Sequence, residues 1–357
     1  MITAATSTRQ PQGAERVPLW QRELARAVTD PLELCRLLEL DPGEVLAALP
    51  AHAQFRLRVP RGFVARMRMR DPCDPLLRQV LPLAAELLEQ PGFGADPLDE
   101  QRAVRTAGLL HKYRGRALLI GTGACAVHCR YCFRREFPYA DALDDSGPRF
   151  QAALTALAAD RSIKELIVSG GDPLILGTAR LAELTEALRS VKHLRRLRLH
   201  TRVPVVLPER VDEELLEWLS ALPWPVVIVL HCNHANEIDA AVRAAAARLR
   251  ATGATLLNQS VLLAGVNDSA DSLEALSEAL WSAAVLPYYL HLLDRVRGSG
   301  HFEVDTERAR LLMAQLAARL PGYLVPRLVR ETPGAPAKTP IAPAGWELLH
   351  SSATGKC

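Results

Sequence analysis

The chain has 357 residues, 49% of them hydrophobic and 23% charged, enough to bury a sizeable core in one large or two smaller domains. Its 43 basic and 40 acidic residues leave a formal charge of only +3, which gives no electrostatic case for nucleic acid or membrane as the main partner. The longest apolar runs, such as 226–230, fall far short of the roughly 18–20 residues of a membrane span, and residues 1–13 lack the apolar centre of a secretory signal. A cytoplasmic protein is expected. Two residue types are scarce: seven cysteines, three of them within eight positions, and five lysines against 38 arginines.

Residues 1–107 read as a helical region. Apolar spacing predicts helices over 18–28 and 32–40, with Asp30 and Pro31 as N-cap and first helical residue. The pairs Asp71-Pro72, Asp74-Pro75 and Asp96-Pro97 open further turns or helices. Arg56, Arg58, Arg61, Arg66, Arg68 and Arg70 are expected to form a solvated face. From residue 108 to 325 the rhythm changes. Strands are predicted at 117–121, 165–169, 196–200, 226–231, 255–260 and 287–292, with helices at 179–191, 212–222, 238–252 and 272–284 and Gly253 closing the third. Repeats of about 30 residues are βαβ units, and strands apolar on both faces suit a parallel sheet covered by helices. The fold class is therefore α/β, an incomplete (β/α)6 barrel, although an open doubly wound sheet shares the pattern. Polar residues gathered at the C-terminal ends of successive strands favour the barrel, since that rim is where such barrels build active sites. Residues 326–357 form a short C-terminal tail.

Cys125, Cys129 and Cys132 stand in the spacing C-x3-C-x2-C directly after the first barrel strand. Three thiolates on one loop can hold three irons of a [4Fe–4S] cube and leave the fourth open. A zinc site is the other reading, with His128 as a possible fourth ligand. The spacing, with Tyr131 before the last cysteine, resembles the radical S-adenosylmethionine enzymes. That resemblance implies that the open iron holds S-adenosylmethionine and cleaves it to a carbon radical. Ser169, Gly170, Gly171 and Asp172, at the end of the second strand, resemble that family's glycine-rich cofactor motif, and glycines permit close backbone approach to a ligand.

Lys338 lies among turn-formers, before Thr339 and Pro340. A lysine held in a site can bind pyridoxal phosphate covalently. Together with the cysteines, it resembles the lysine 2,3-aminomutase family, over roughly residues 19–340. The resemblance implies that Lys338, Lys112, Tyr113 and Arg116 hold pyridoxal phosphate. It implies S-adenosylmethionine contacts from Tyr131, Ser169, Gly170, Gly171, Asp172, Thr201, Arg202, His231, Gln259 and Ser260. Arg134 is expected to pair with the substrate carboxylate, and Asp294 and Glu331 with its distal ammonium. Ser269 replaces a cysteine of the catabolic enzymes and the chain ends soon after Lys338, so no zinc is expected. Glu331 in place of aspartate and the segments 74–80 and 133–139 resemble the branch that supplies (R)-β-lysine for β-lysylation of elongation factor P. The expected substrate is L-lysine, the expected reductant a flavodoxin or ferredoxin, and the functional link an elongation factor P ligase. A glutamate-directed relative and a non-enzymatic iron–sulfur module that binds a translation factor are the alternatives. Cys35, Cys73 and Cys232 are expected to be buried or partly buried thiols, and Cys357 a tail residue.

Overall fold

The computed structural model describes residues 17–139 and 147–345; residues 1–13, Cys357 and the end of the 326–357 segment lie outside the described residues. All strands join one ten-stranded sheet in chain order. They are β1 (Val104–Thr106), β2 (Leu109–Tyr113), β3 (Arg116–Thr122), β4 (Glu165–Gly170), β5 (Arg196–Thr201), β6 (Val226–His231), β7 (Thr255–Val261), β8 (Leu286–His291), β9 (Arg327–Arg330) and β10 (Thr339–Pro340). The run from β3 to β9 is parallel throughout. The flanking pairs β1–β2, β2–β3 and β9–β10 are antiparallel. A doubly wound sheet reverses its strand order at a switch point. This sheet never does, and it is an incomplete barrel.

All six predicted strands are present as β3 to β8, and a seventh parallel strand, β9, follows them. Its four residues put Leu328 and Val329 inside, between the exposed Arg327 and Arg330. That is too short for its alternation to separate from a loop. β1 and β2 were not predicted as strands either.

Helices Thr178–Leu188, Glu213–Ser220, Ala240–Ala251 and Ala270–Ser282 cover the sheet where amphipathic spacing placed them, and Pro148–Ala159 and Thr306–Arg319 add to them. Their starts follow capping chemistry. Asp212, Asp239, Ser269 and Asp305 each accept hydrogen bonds from first-turn amides. Ser269 therefore serves as a helix cap. Gly253, at φ +87°, follows the helix Ala240–Ala251 in the left-handed region that glycine tolerates.

The N-terminal layer contains helices Leu19–Ala25 and Pro31–Leu38, the second capped by Asp30 as expected. Trp20, Leu34, Leu38 and Phe63 from this layer share one apolar core with Leu166, Leu199 and Ile228 of the sheet. The expectation of a solvated arginine face fails at Arg66. Its side chain is 8% exposed, and it donates to the carbonyls of Val205 (2.8 Å) and Glu237 (2.6 Å). Arg66 ties the layer to the barrel, and burial of its guanidinium follows from that. Arg56, Arg68 and Arg70 are exposed. Cys35 and Cys232 are buried, whereas Cys73 is exposed on the turn opened by Asp71, not partly buried as expected. Among the described residues, no helix is long and apolar enough to cross a membrane.

Candidate active site

Every site residue named from the sequence, apart from His128 as the alternative zinc ligand, lines a single cavity at the C-terminal mouth of the sheet. The β3 loop brings Cys125, Cys129 and Cys132; β4 brings Ser169 to Asp172; β5 to β8 bring Thr201, Arg202, His231, Gln259, Ser260 and Asp294; β9 and β10 bring Glu331 and Lys338. The missed strand is what carries the last two. Thr339 pairs with Arg330, so Glu331 and Lys338 face each other across the base of a hairpin.

The cysteine loop is fixed from behind by the N-terminal layer. The His128 amide donates to the Arg58 carbonyl (2.9 Å), its Nδ1 bonds the Arg56 carbonyl (2.8 Å), and its ring stacks on Phe55 at 5.3 Å. His128 is thus engaged away from the thiols, which weighs against the zinc reading. Arg130 is fully buried and held by both oxygens of Glu86. None of the three loop cysteines is in a disulfide. Burial and the neighbouring sulfurs push the Cys125 thiol well up, and burial with Cys129 raises Cys132 to about 11. Cys125 and Cys132, crowded with Cys129 on one loop, resist ionising, and the three sulfurs are a donor set that cations would relieve.

The glycines also make room for the protein itself. A Cβ on Gly170, at φ +119°, would lie 2.5 Å from the Thr122 carbonyl oxygen. One on Gly171 would lie 2.7 Å from the carbonyl carbons of Gly123 and Ala124, and nearer still to the Ala124 oxygen. The Gly171 amide donates to Thr122 O (2.6 Å) and the Asp172 amide to Ala124 O (2.8 Å). The close approach is to the cysteine loop itself. The buried Asp172 carboxylate then accepts from Thr201 Oγ1 (2.7 Å) and the amides of Arg202 (2.6 Å) and Val203 (3.1 Å). Burial raises it to about 6, against the pull of those donors.

Arg202 lies under the loop. It donates to Cys129 Sγ (2.8 Å), Tyr131 Oη (2.7 Å), Gln79 Oε1 (2.6 Å) and Glu237 Oε2 (3.0 Å). Asn233 donates to the same tyrosine and glutamine oxygens. Arg202, Tyr131, Gln79, Glu237 and Asn233 thus form one hydrogen-bonded network that reaches the Cys129 sulfur. Ser260 directs its hydroxyl to the Cys232 carbonyl (2.8 Å). The Gln259 amide donates to the ring of His231 (2.6 Å), whose imidazole burial holds neutral by pushing it down to about 3.

Across the cavity runs a ladder of alternating charge. Arg134 is bound by both oxygens of Glu100, at 2.7 and 2.9 Å. Glu100 also meets Lys112 Nζ at 3.1 Å. Lys112 reaches Glu331 at 2.9 Å, and Glu331 holds Lys338 Nζ at 2.5 Å. The Asp294 carboxylate stands beside the ladder with no hydrogen-bond or ion-pair partner among the described residues, its backbone carbonyl accepting from the Val296 amide at 2.7 Å. Burial and the nearby Glu331 raise it to about 7. Arg295 pairs with Glu303 and Arg330 with Thr306, so neither draws Asp294 or Glu331 to the surface. Arg116 lies over the Tyr113 ring at 4.6 Å. Arg198 is in the same wall, with a buried Nε that has no partner.

Glu100, Gln79, Glu237, His200, His291 and Arg198 receive no individual site role from the sequence, although His200 stands in the polar rim and Gln79 and Glu237 in family-like segments. Glu100 follows an Asp-Pro turn and reads there as surface acid; Gln79 and Glu237 carry no spacing signal of their own.

Residues 114–202 match a family described as a 4Fe-4S single cluster domain. The L-lysine 2,3-aminomutase of Escherichia coli K12 is 50% identical over 323 residues, covering 90% of this chain and 94% of that protein. The protein of the same name from Haemophilus influenzae is 44% identical over 320 residues, again 90% and 94% of the two chains. That from Clostridium subterminale is 32% identical over 326 residues, 91% of this chain and 78% of its own. Likeness of this degree over nine-tenths of the chain means that the chain belongs to the lysine 2,3-aminomutase family.

Proposed function

We propose that the protein is an isomerase that converts L-α-lysine to (R)-β-lysine, using a [4Fe–4S] cluster, S-adenosylmethionine and pyridoxal phosphate. The observation that carries this reading is the sharing of one cavity by the three-cysteine loop and Lys338, with a cation and a carboxylate left over for an amino acid.

The residues present fit the cofactors. Three free thiols on one loop suit three irons of a cube. Lys338 enters the cavity beside Tyr289, and Arg116 with the orphaned Arg198 Nε suits a phosphate. When bound, the cluster and S-adenosylmethionine supply a hydrogen-abstracting radical, and pyridoxal phosphate a π-system for nitrogen migration. The chain's own residues bind and orient. Arg134 meets the α-carboxylate and Asp294 the distal ammonium; Glu331, expected beside Asp294 on that ammonium, accepts from Lys338 Nζ at 2.5 Å and holds its proton while that nitrogen is free. The wall between them excludes water: Thr201 and Ser260 are buried, and burial keeps His200, His231 and His291 neutral. A cytosolic setting, a flavodoxin or ferredoxin as reductant and an elongation factor P ligase as consumer of the β-lysine complete the proposal.

Reduced, reconstituted protein incubated anaerobically with lysine, arginine and glutamate will turn over lysine. Turnover of glutamate alone would overturn the reading, because Asp294 would then face a second carboxylate.

Asp294 gives this site a pH signature. With a carboxyl raised to about 7, it is neutral in acid and forms an ion pair only above that pH. KM for lysine is expected to rise as pH falls below 7, by up to about tenfold per unit, and Asp294→Asn to raise KM and flatten the profile. An unchanged profile in that variant would remove Asp294 from ammonium recognition.

A further inference from the structure

We infer that Glu100 is a positioning residue for the carboxylate end of the substrate: it clamps Arg134 side-on and leaves the other edge of the guanidinium for an α-carboxylate. This rests on the proposed role of Arg134, and the experiment below separates the two.

A guanidinium offers two forks to carboxylates, Nε with Nη2 and Nη1 with Nη2. Glu100 takes the first, with Nε to Oε2 at 2.7 Å and Nη2 to Oε1 at 2.9 Å. Among the described residues, the Nη1 edge meets only Ser169 Oγ at 3.3 Å and the Gly170 carbonyl at 3.5 Å. Both contacts are longer than an ordinary N–H···O bond, and both lie at the cavity end of β4. Phe133 and Phe137 flank the guanidinium at 4.9 and 5.8 Å and limit how its plane can turn. Glu100 and Arg134 are 3% and 6% exposed, so water does not compete for either.

Glu100 is itself presented rigidly. It opens the 3-10 turn Glu100–Ala103, and its amide is tied to Asp96 Oδ1 at 2.9 Å. Its second cation, Lys112, prevents it from following Arg134 away. The ladder Arg134–Glu100–Lys112–Glu331–Lys338 holds three cations and two carboxylates. Glu100 is shared between Arg134 and Lys112, and its clamp leaves the Nη1 edge of Arg134 toward the cavity for the incoming carboxylate.

The test is equilibrium binding of L-lysine and L-lysinamide, by calorimetry, to enzyme loaded with its cofactors but not reduced, so that no turnover occurs. Wild type is expected to favour lysine by about tenfold or more, the contribution of a charge-assisted bidentate contact. In Glu100→Gln that preference is expected to collapse to within about threefold, with lysinamide affinity little changed. Equal weakening of both ligands would show a purely structural role and overturn the inference, as would a wild-type preference retained in the variant. Should Glu100→Gln fail to fold, Glu100→Asp keeps the charge but shortens the arm, and the same two outcomes decide. If wild type itself shows no preference, or Arg134→Lys retains it, the carboxylate role of Arg134 fails first and takes the inference with it.

Discussion

Lys338→Ala is expected to abolish both the borohydride-trappable link to pyridoxal phosphate and its visible absorption, while iron content stays at the wild-type level. Lysine turnover should fall by about a thousandfold or more, as when a covalent catalytic group is removed. The expectation follows from position. Lys338 Nζ lies 2.5 Å from Glu331 and 5.8 Å from the Tyr289 ring, inside the cavity, although its loop has no helical or strand period. The cysteines are on the β3 loop, at the other edge of the parallel sheet, and nothing in the hairpin supports them. Lys112→Ala is the control. It lies in the same ladder and should weaken the cofactor without removing the covalent link. Survival of the link in Lys338→Ala would show that the attachment point is elsewhere.

Gly171→Ala is expected to do the reverse: lose iron and keep the pyridoxal site. The added methyl would meet the backbone of Gly123 and Ala124, not a flexible side chain. Relief requires moving the β3 loop or the end of β4, breaking the hydrogen bonds that the Gly171 and Asp172 amides donate across them. Overpacking of that kind costs about 1–3 kcal/mol and is concentrated where the cysteines must be placed. Iron assayed per chain after anaerobic reconstitution should fall to less than about half of wild type, with the thermal midpoint lowered by a few degrees. Full iron content in the variant would mean that the loop can shift without consequence.

These two residues show what the sequence makes legible and what it does not. The barrel strands are plain because each is an apolar run bounded by turns and spaced by a helix, and β3 to β8 fall where that rhythm puts them. Lys338 and the cysteines stand out through scarcity and spacing. β9 escapes because two buried residues between arginines carry no readable alternation. Gly170 and Gly171 are visible as glycines, but the atoms they make room for belong to a segment about 47 residues earlier, which only the β3–β4 pairing brings close. Arg66 fails for the same reason. An arginine among arginines looks solvated until the fold supplies carbonyl acceptors 139 and 171 positions away. Glu100 and Gln79 are of this kind, ordinary in composition and defined only by their partners.

The unbroken strand order has a consequence for assembly. Because each parallel strand pairs with its chain neighbour, the sheet can lengthen stepwise as the polypeptide leaves the ribosome, with little loop-closure entropy at each addition. The thiols on the β3 loop emerge early and Lys338 near the end, separated by the whole width of the parallel sheet. A partly synthesised chain thus holds one half of the chemistry without the other, and the cavity gains its full complement only after β9 and the closing hairpin have docked. Growth order and strand order coincide, so the fold itself delays competence until the wall around the reactive centre is complete.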